Sequence, residues 1–164
     1  MKLNLGCGQI KLDGYLNVDL YGEPDLRCDL RVFPWPWADG EIEAIYSRGC
    51  YEHLPEFNRS MRESWRVLRP GGTITIIVPH YDSPLEPWPE QHLHRFSLHT
   101  FRYLLPLGLP YVGEFRFRTV SLRLVYGPRM KFLEPVANIL PSVWEWAHLP
   151  MAEIEWVGIK RGAA

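Results

Sequence analysis

The first half of the chain consists of short apolar segments separated by turn residues, a pattern typical of β-strands. Residues 3–6, 15–19, 25–29 and 42–47 are predicted to form four strands, each bounded by glycine, proline, asparagine or aspartate. Residues 73–78 are β-branched and almost wholly apolar. This composition predicts a fifth strand that is buried on both faces, as in a parallel sheet.

Between the fourth and fifth strands the apolar positions change to helical spacing. Phe57, Met61, Trp65 and Leu68 recur every three or four residues and predict one helix. The run Pro70-Gly71-Gly72 is expected to end it. A series of strands followed by strand–helix–strand is the order of an α/β fold.

The second half of the chain is less regular. We predict a short helix, a strand-like segment, two helical pieces and a last strand, at residues 97–105, 114–126, 130–140, 143–148 and 152–160. Within the strand-like segment the apolar positions change phase between Phe117 and Val120. Because side chains alternate between the two faces of a strand, this change predicts a β-bulge or two separate strands.

The connection between the first two strands is unusually short. It spans only about eight residues, whereas a parallel crossover usually needs about a dozen or more. The first crossover helix is therefore predicted to be missing or cut to about one turn, which leaves part of one sheet face uncovered. Tryptophan-rich loops, the C-terminal helices or a second subunit should cover that face. A homodimer is one hypothesis, and a monomeric mass in sedimentation at micromolar concentration would contradict it.

Length and composition narrow the class of protein. A chain of 164 residues is sized for one domain, and 18 basic against 19 acidic residues argue against a general nucleic-acid binder. Cys7, Cys28 and Cys50 show no paired spacing, so we expect reduced thiols. The first residues become polar too quickly for a signal peptide, and no apolar run reaches the length of a membrane span. A cytoplasmic protein is expected.

The segment Leu3-Asn4-Leu5-Gly6-Cys7-Gly8 carries the first indication of a ligand. A strand that ends in Gly-x-Gly lets the backbone approach a ligand closely, and the carboxyl end of a central strand is the usual ligand position in an open α/β sheet. Asp19, which ends the next strand, can accept hydrogen bonds from both hydroxyls of a ribose. Lys11 stands where a third dinucleotide-binding glycine would be. The pattern therefore favours a nucleoside without pyrophosphate.

Further motifs follow in order: residues 14–19 read GYLNVD, Asp29-Leu30 ends the third strand, Glu52-His53-Leu54 follows the fourth, and residues 66–72 read RVLRPGG. With these motifs the chain resembles the class I S-adenosylmethionine-dependent methyltransferase superfamily. The resemblance covers residues 3–79 and, more loosely, the tail. It implies an α/β, Rossmann-like, doubly wound and mostly parallel sheet of seven strands with an antiparallel last strand. A single domain over 1–164 is expected, with a cofactor half at about 1–79 and an acceptor-side half at about 80–164.

The resemblance also implies the cofactor and its site. S-adenosylmethionine would be bound by residues at the ends of the first four strands: Gly6, Cys7, Gly8, Asp19, Leu20, Asp29, Leu30, Ser47 and Arg48. The glycine loop would line the methionine and ribose portions. The aspartate of the second strand would hold the ribose hydroxyls, with the next leucine beside the adenine. Asp29 and Leu30 would bind the adenine edge, and Ser47 and Arg48 would lie near the methionine end.

The expected activity is methyl transfer to a small-molecule or glycan-like acceptor. The glycan-like class rests on an analogy with short methyltransferases that are encoded beside sugar-handling enzymes. A hydroxyl acceptor would need a general base. His80, directly after the fifth strand, and His94 are the leading candidates.

A metal site is not expected from the sequence. His92, His94 and His99 lie near Glu90, but nothing in the sequence fixes a further ligand for zinc. The Glu52-His53 pair is interpreted as a structural feature of its loop.

Two other functions stay open at this point. In the family pattern a leucine usually precedes the Glu-His pair, whereas here the run is Arg48-Gly49-Cys50-Tyr51. This departure favours a catalytically degenerate module that binds the cofactor or a partner. An NAD(P)-dependent reductase is the second alternative, and the absent third glycine disfavours it. Calorimetry with S-adenosylmethionine, a methyl-transfer screen and thermal scans with NADH would separate the three.

Overall fold

One sheet organises the part of the chain that the structure, a computed structural model, describes: residues 1–83, 91–104, 116–147 and 153–161. Its seven strands are β1 (Lys2–Leu5), β2 (Leu16–Asp19), β3 (Leu26–Arg27), β4 (Ile42–Arg48), β5 (Leu68–Pro79), β6 (Phe117–Val125) and β7 (Glu153–Lys160). The α-helices are α1 (Phe57–Val67), α2 (Glu134–Ala137) and α3 (Pro141–Trp146). Single helical turns lie at Tyr51–His53, Thr100–Leu104 and Lys131–Leu133.

The strand order is β3-β2-β1-β4-β5-β7-β6. Strands β1 to β5 pair in parallel, and β7 runs antiparallel to both β5 and β6. The predicted α/β sheet with an antiparallel last strand is therefore confirmed. The chain builds outward in one direction from β1 and then in the other from β4, so the point of reversal lies between these two strands. Open α/β sheets bind ligands beyond the carboxyl ends of the strands at such a point.

The short connection between β1 and β2 contains turns and no helix, as predicted. Two buried asparagines hold it in place. The Asn4 amide donates to Asn17 Oδ1 at 2.8 Å and to the Ile10 carbonyl at 2.9 Å, and the Leu12 amide also donates to Asn17 Oδ1 at 2.8 Å. Side-chain amides thus satisfy loop backbone groups that a helix would have paired internally. The homodimer hypothesis stays a prediction.

The structure changes two predicted boundaries. Helix α1 ends at Val67, and β5 begins at Leu68 instead of at residue 73. Leu68 pairs with Ile42 of β4, and the register then shifts before the pairing resumes at Ala44. The predicted stop at the proline–glycine run is therefore an irregular part of a strand, with Gly71 at a φ of +78°.

The phase change predicted in the strand-like segment is a bulge. The pairing of β6 with β7 shifts register between Thr119 and Ser121. The predicted helix over residues 97–105 is helical from residue 98 to residue 104, with a π-helical turn at Thr100–Leu104, and residue 105 lies outside the described residues. The predicted helical pieces of the tail correspond to α2 and α3. Residue 148 of the second piece, and residues 114, 115 and 152 of the two predicted strands, lie outside the described residues.

Trp156 of β7 is the centre of the core on the antiparallel side of the sheet. Its fully buried indole stacks on Phe101, with ring centroids 5.7 Å apart, and meets Phe117 edge-on at 5.5 Å. Its N–H donates to Thr119 Oγ1 at 3.0 Å. The six-membered ring lies over Gly158 so closely that a β-carbon there would be 2.4 Å from it. The indole therefore requires glycine at that position.

The loop over residues 33–37, which is rich in proline and tryptophan, is held to α1 by hydrogen bonds with two side chains that form an ion pair within that helix. Glu63 and Arg66 pair at 2.8 Å. Glu63 accepts a hydrogen bond from the Trp35 amide at 2.7 Å, while Arg66 donates to the Trp35 and Trp37 carbonyls at 3.1 and 2.9 Å. Both tryptophans are buried. They cap the core, which is the more common role for such residues.

We expect Glu63→Gln to lower stability by about 1 kcal/mol at neutral pH, because it replaces a charged hydrogen-bond acceptor with a neutral one. Hydrogen bonds from Arg66 hold the pKa of Glu63 below its ordinary value. A depressed folded-state pKa contributes stability that is fully present above the unfolded-state pKa and is lost as pH falls through the folded-state pKa. Melting temperatures from about pH 7 to about pH 3 should thus fall more steeply for the native chain than for the variant. The exposed Glu23→Gln is the matched control, and parallel curves for Glu63→Gln and the native chain would contradict the prediction.

The short tail helices differ from the core in exposing large apolar side chains. Phe132, Ile139 and Trp146 are each more than two-thirds exposed. Among the residues that the structure describes, no helix combines the length and the apolar composition needed to cross a bilayer.

Candidate functional site

A cleft of about 410 Å³ lies beyond the carboxyl ends of β1, β2 and β4. Small-molecule sites typically occupy about 300–1,000 Å³. Most of the residues predicted to bind a cofactor line it: Gly6, Gly8, Asp19, Leu20, Asp29 and Leu30. The strand ends therefore bring together residues from three separate motifs.

The loop after β1 presents its backbone to the cleft. Gly6 and Gly8 have φ angles of +67° and +52°, in the left-handed region that favours glycine. The Gly6 and Cys7 amides both donate to the Val18 carbonyl, at 2.8 and 3.1 Å, and so fix the loop on β2. A β-carbon built on Gly8 would meet no atom within 4 Å. The space next to Gly8 is thus open to a ligand.

Asp19 holds the same loop from the end of β2. Its Oδ2 accepts a hydrogen bond from the Gly8 amide at 2.8 Å, and its Oδ1 accepts one from the Tyr21 amide at 2.9 Å. A carboxylate oxygen has two lone pairs, so each oxygen can accept one further hydrogen bond. The carboxylate is therefore positioned and still able to bind two hydroxyl groups.

Asp29 is paired with a residue that the sequence analysis did not single out. Arg31 donates to Oδ1 of Asp29 from its amide at 3.0 Å and from Nε at 2.8 Å, and to Oδ2 from Nη2 at 2.8 Å. The arginine side chain thereby lowers the pKa of the Asp29 carboxyl. One lone pair remains on Oδ2. Arg31 also lines the cleft, so a planar cation lies on the same wall.

The structure places three of the predicted cofactor residues outside the cleft lining. The Ser47 hydroxyl is buried within the sheet and donates to the Leu5 carbonyl at 2.9 Å. Arg48 reaches across β5 to form an ion pair with Glu153 of β7 at 2.6 Å. The Cys7 side chain is buried, and its burial and the nearby Asp19 carboxylate raise the pKa of its thiol. The roles of these three residues toward a cofactor stay predictions.

The two histidines predicted as bases are engaged elsewhere. His80 is 1% exposed, donates from Nε2 to Glu145 Oε1 at 2.8 Å and accepts the Asp82 amide at Nδ1 at 3.1 Å. Because both ring nitrogens are used, His80 is a structural link between β5 and α3. His94 donates from Nε2 to the Leu54 carbonyl at 2.8 Å and lines a separate surface groove. Neither imidazole lines the cleft at the strand ends, and their roles as bases stay predictions.

Several lining residues were missed by the sequence analysis. Gly49, Cys50 and His53 line the cleft from the turn after β4, and Gln91 lines it from a later segment. The signal for the first three was their position directly after a parallel strand, since such strand ends share one edge of the sheet. Burial and the neighbouring Glu52 charge raise the pKa of the Cys50 thiol to about 12, so it stays protonated at neutral pH.

Comparisons with known proteins agree with this geometry. The family model described as a methyltransferase domain matches residues 22–76. An S-adenosylmethionine-dependent methyltransferase from Archaeoglobus fulgidus has a TM-score of 0.66 and 16% identity, covering 97% of this chain and 85% of the other. An S-adenosylmethionine-dependent methyltransferase from Mesorhizobium loti has a TM-score of 0.59 and 17% identity, covering 97% of this chain and 90% of the other. At such identities these likenesses are of fold.

A third solved structure contains ligands. It is the 1,6-didemethyltoxoflavin-N1-methyltransferase of Burkholderia thailandensis, with 1,6-didemethyltoxoflavin and S-adenosylhomocysteine bound. Its TM-score is 0.62 at 16% identity, covering 98% of this chain and 71% of the other. Residues 22–76 thus match a methyltransferase domain, and the sheet order and the cleft at the strand ends give this chain the fold of solved S-adenosylmethionine-dependent methyltransferases.

Proposed function

We propose that this chain methylates a small-molecule or glycan-like acceptor and that the nucleoside of S-adenosylmethionine binds in the cleft at the ends of β1 and β2. The observation that carries the proposal is the Asp19 carboxylate. It is held by the Gly8 and Tyr21 amides and retains one acceptor position on each oxygen. That arrangement suits the two hydroxyls of a ribose.

The remaining lining residues fit the rest of the cofactor. The open space beside Gly8 admits the portion next to the ribose, and Leu20 and Leu30 offer apolar contacts for the adenine. The unused lone pair on Asp29 Oδ2 can accept a hydrogen bond from the exocyclic amino group. When bound, S-adenosylmethionine supplies an electrophilic methyl group on a positively charged sulfur.

The chain's contribution to the reaction is mainly positioning. Holding two reactants in line can lower a barrier by roughly 7–11 kcal/mol without acid–base chemistry. Cys50 is the buried thiol at the cleft, and its raised pKa of about 12 keeps it protonated. A protonated thiol is a poor nucleophile, so Cys50 does not compete with the acceptor for the methyl group.

Charge and fold likeness support a small acceptor. A formal net charge of −1 provides no general attraction for nucleic-acid phosphates. The Burkholderia thailandensis enzyme, whose fold this chain shares, is named as a methyltransferase of 1,6-didemethyltoxoflavin, a small molecule. Cys7, Cys28 and Cys50 are free thiols, which supports a reducing compartment such as the cytoplasm.

Asp19→Ala should weaken binding of S-adenosylhomocysteine by about 1–3 kcal/mol, the range for a hydrogen bond to a charged group. This corresponds to an increase in Kd of about 5- to 150-fold in isothermal titration calorimetry. Asp13→Ala, which removes an exposed aspartate of the same loop, is the matched control and should leave the Kd unchanged. Unchanged affinity in Asp19→Ala would remove this carboxylate from the site.

The activity itself is tested by formation of S-adenosylhomocysteine during incubation with panels of phenols, amines, nucleosides and sugars. We expect turnover with a small hydroxylated or nitrogen-containing acceptor and no thermal stabilisation by NADH. Tight cofactor binding without turnover on any panel would instead favour a degenerate binding module. Stabilisation by NADH alone would favour the reductase alternative.

A further inference from the structure

A carboxylate and two imidazoles converge at the rim of the cleft. The possible ligand atoms of Glu52, His53 and His92 all lie within 4.8 Å of one another. Glu52 and His53 belong to the helical turn after β4, whereas His92 comes from a segment far along the chain. Two imidazoles and one carboxylate form a donor set that divalent transition metals use in proteins.

Backbone hydrogen bonds hold the two segments together. The Glu52 carbonyl accepts from the Leu93 and His94 amides at 2.8 and 3.3 Å. The His94 imidazole donates back to the Leu54 carbonyl at 2.8 Å. These contacts place the His92 ring beside the His53 ring, with centroids 4.7 Å apart. The three side chains are therefore brought together by the fold before any ion binds.

One of the imidazoles makes a hydrogen bond of the kind that metal-binding histidines make. His53 Nδ1 lies 3.0 Å from the Gln91 carbonyl oxygen. A carbonyl can only accept, so Nδ1 carries the proton and Nε2 keeps its lone pair. A hydrogen bond from the second ring nitrogen to a backbone carbonyl is the usual means by which proteins fix the tautomer of a metal-binding histidine.

Burial is graded across the group. Glu52 is 2% exposed, His92 is half-buried and His53 is exposed. A buried carboxylate is stabilised by a nearby cation, and a divalent ion would supply that charge. His53 and Gln91 line the cleft, so an ion held by the three side chains would border the cleft and could take an exogenous oxygen ligand from it. Three protein ligands and an open position are typical of catalytic metal sites.

We propose that Glu52, His53 and His92 bind one divalent transition-metal ion of the zinc, cobalt or manganese type, and that this ion binds a hydroxyl oxygen of the acceptor. The second part rests on the proposed methyl transfer. A metal-bound hydroxyl loses its proton to solvent more readily. Its oxygen forms the bond to the methyl carbon while the carbon–sulfur bond breaks and its electron pair goes to sulfur. Such a site would activate the hydroxyl without a histidine base.

The first test is metal binding by the untagged, chelator-treated full chain. Titration with Zn²⁺ in a calorimeter and with Co²⁺ in the visible spectrum should show one ion per chain. Glu52→Gln and His92→Ala should each weaken binding by at least about 10- to 100-fold. His99→Ala, which alters an exposed histidine outside the group, is the matched control and should bind like the native chain. No stoichiometric binding, or equal binding in Glu52→Gln and the native chain, would overturn the site.

The second test separates this site from the cofactor proposal. His53→Ala changes an exposed side chain, so its melting temperature should stay close to that of the native chain even if a buried variant fails to fold. The His53→Ala variant should no longer show the visible absorption of protein-bound Co²⁺. If the native chain binds no S-adenosylmethionine, the proposed function is wrong and the metal site is unaffected. Methylation of a hydroxyl acceptor that persists in chelator would overturn the role of the ion.

Discussion

Gly6→Ala is expected to destabilise the protein by about 2–5 kcal/mol, which is the cost of a left-handed alanine plus the cost of overpacking against a neighbouring side chain. Gly6 has a φ of +67°, and a β-carbon there would lie 2.5 Å from the Cys50 β-carbon and 2.6 Å from its sulfur. The new methyl group would push apart the turns after β1 and β4, which together form the wall of the cleft. Calorimetry should therefore show no binding of S-adenosylhomocysteine at concentrations that saturate the native chain.

Two variants separate the clash from the backbone strain. Gly14 has a φ of +77°, and a β-carbon there would have open space around it. Gly14→Ala therefore measures the cost of the left-handed conformation alone. The double variant Gly6→Ala with Cys50→Gly removes the colliding side chain and should recover part of the lost free energy of unfolding. If Gly6→Ala unfolds in urea at the same midpoint as Gly14→Ala, the predicted collision does not occur.

The second large effect is expected at the indole of β7. Trp156→Ala should cost about 3–5 kcal/mol in the free energy of unfolding, because it removes a fully buried aromatic side chain and leaves a cavity. Phe101 and Phe117 lose their ring contacts with the indole, and Thr119 loses a hydrogen-bond donor. Urea denaturation followed by tryptophan-independent far-ultraviolet circular dichroism measures the change.

Gly158→Ala gives the complementary result. In the native chain it should cost about 1–3 kcal/mol, since the β-carbon would lie 2.4 Å from the Trp156 ring. In the Trp156→Ala background the same change should cost nothing, because the ring is gone. Gly127→Ala meets no atom within 4 Å and is the matched control. Equal costs of Gly158→Ala in the two backgrounds would show that the ring does not constrain this position.

The regular part of the fold follows from local pattern. Alternating or continuous apolar runs predicted the strands, and the short first connection predicted the loss of a crossover helix. The boundary between α1 and β5 was missed because Leu68 gains more from pairing with Ile42 than from one further helical residue. Tertiary pairing overrides local helix propensity in such cases.

The candidate site likewise contains residues that local pattern predicts and contacts that it does not. Gly6 and Asp19 were predicted because each ends a strand in a parallel sheet. The contacts of His80 and Ser47 could not be predicted, because they depend on which distant group lies opposite: Glu145 of α3 for His80 and the Leu5 carbonyl for Ser47. The meeting of His53 with His92 was likewise invisible, because backbone contacts between distant segments bring them together.

The helix-free connection between β1 and β2 has an electrostatic consequence for ligand choice. In dinucleotide-binding folds the positive end of a helix dipole lies behind the glycine loop and attracts pyrophosphate. Residues 6–15 form only turns here, so this source of positive potential is missing, while the Asp19 side chain accepts a hydrogen bond from the Gly8 amide of the loop. We therefore expect this loop to favour a cationic sulfonium over an anionic dinucleotide through charge as well as through size.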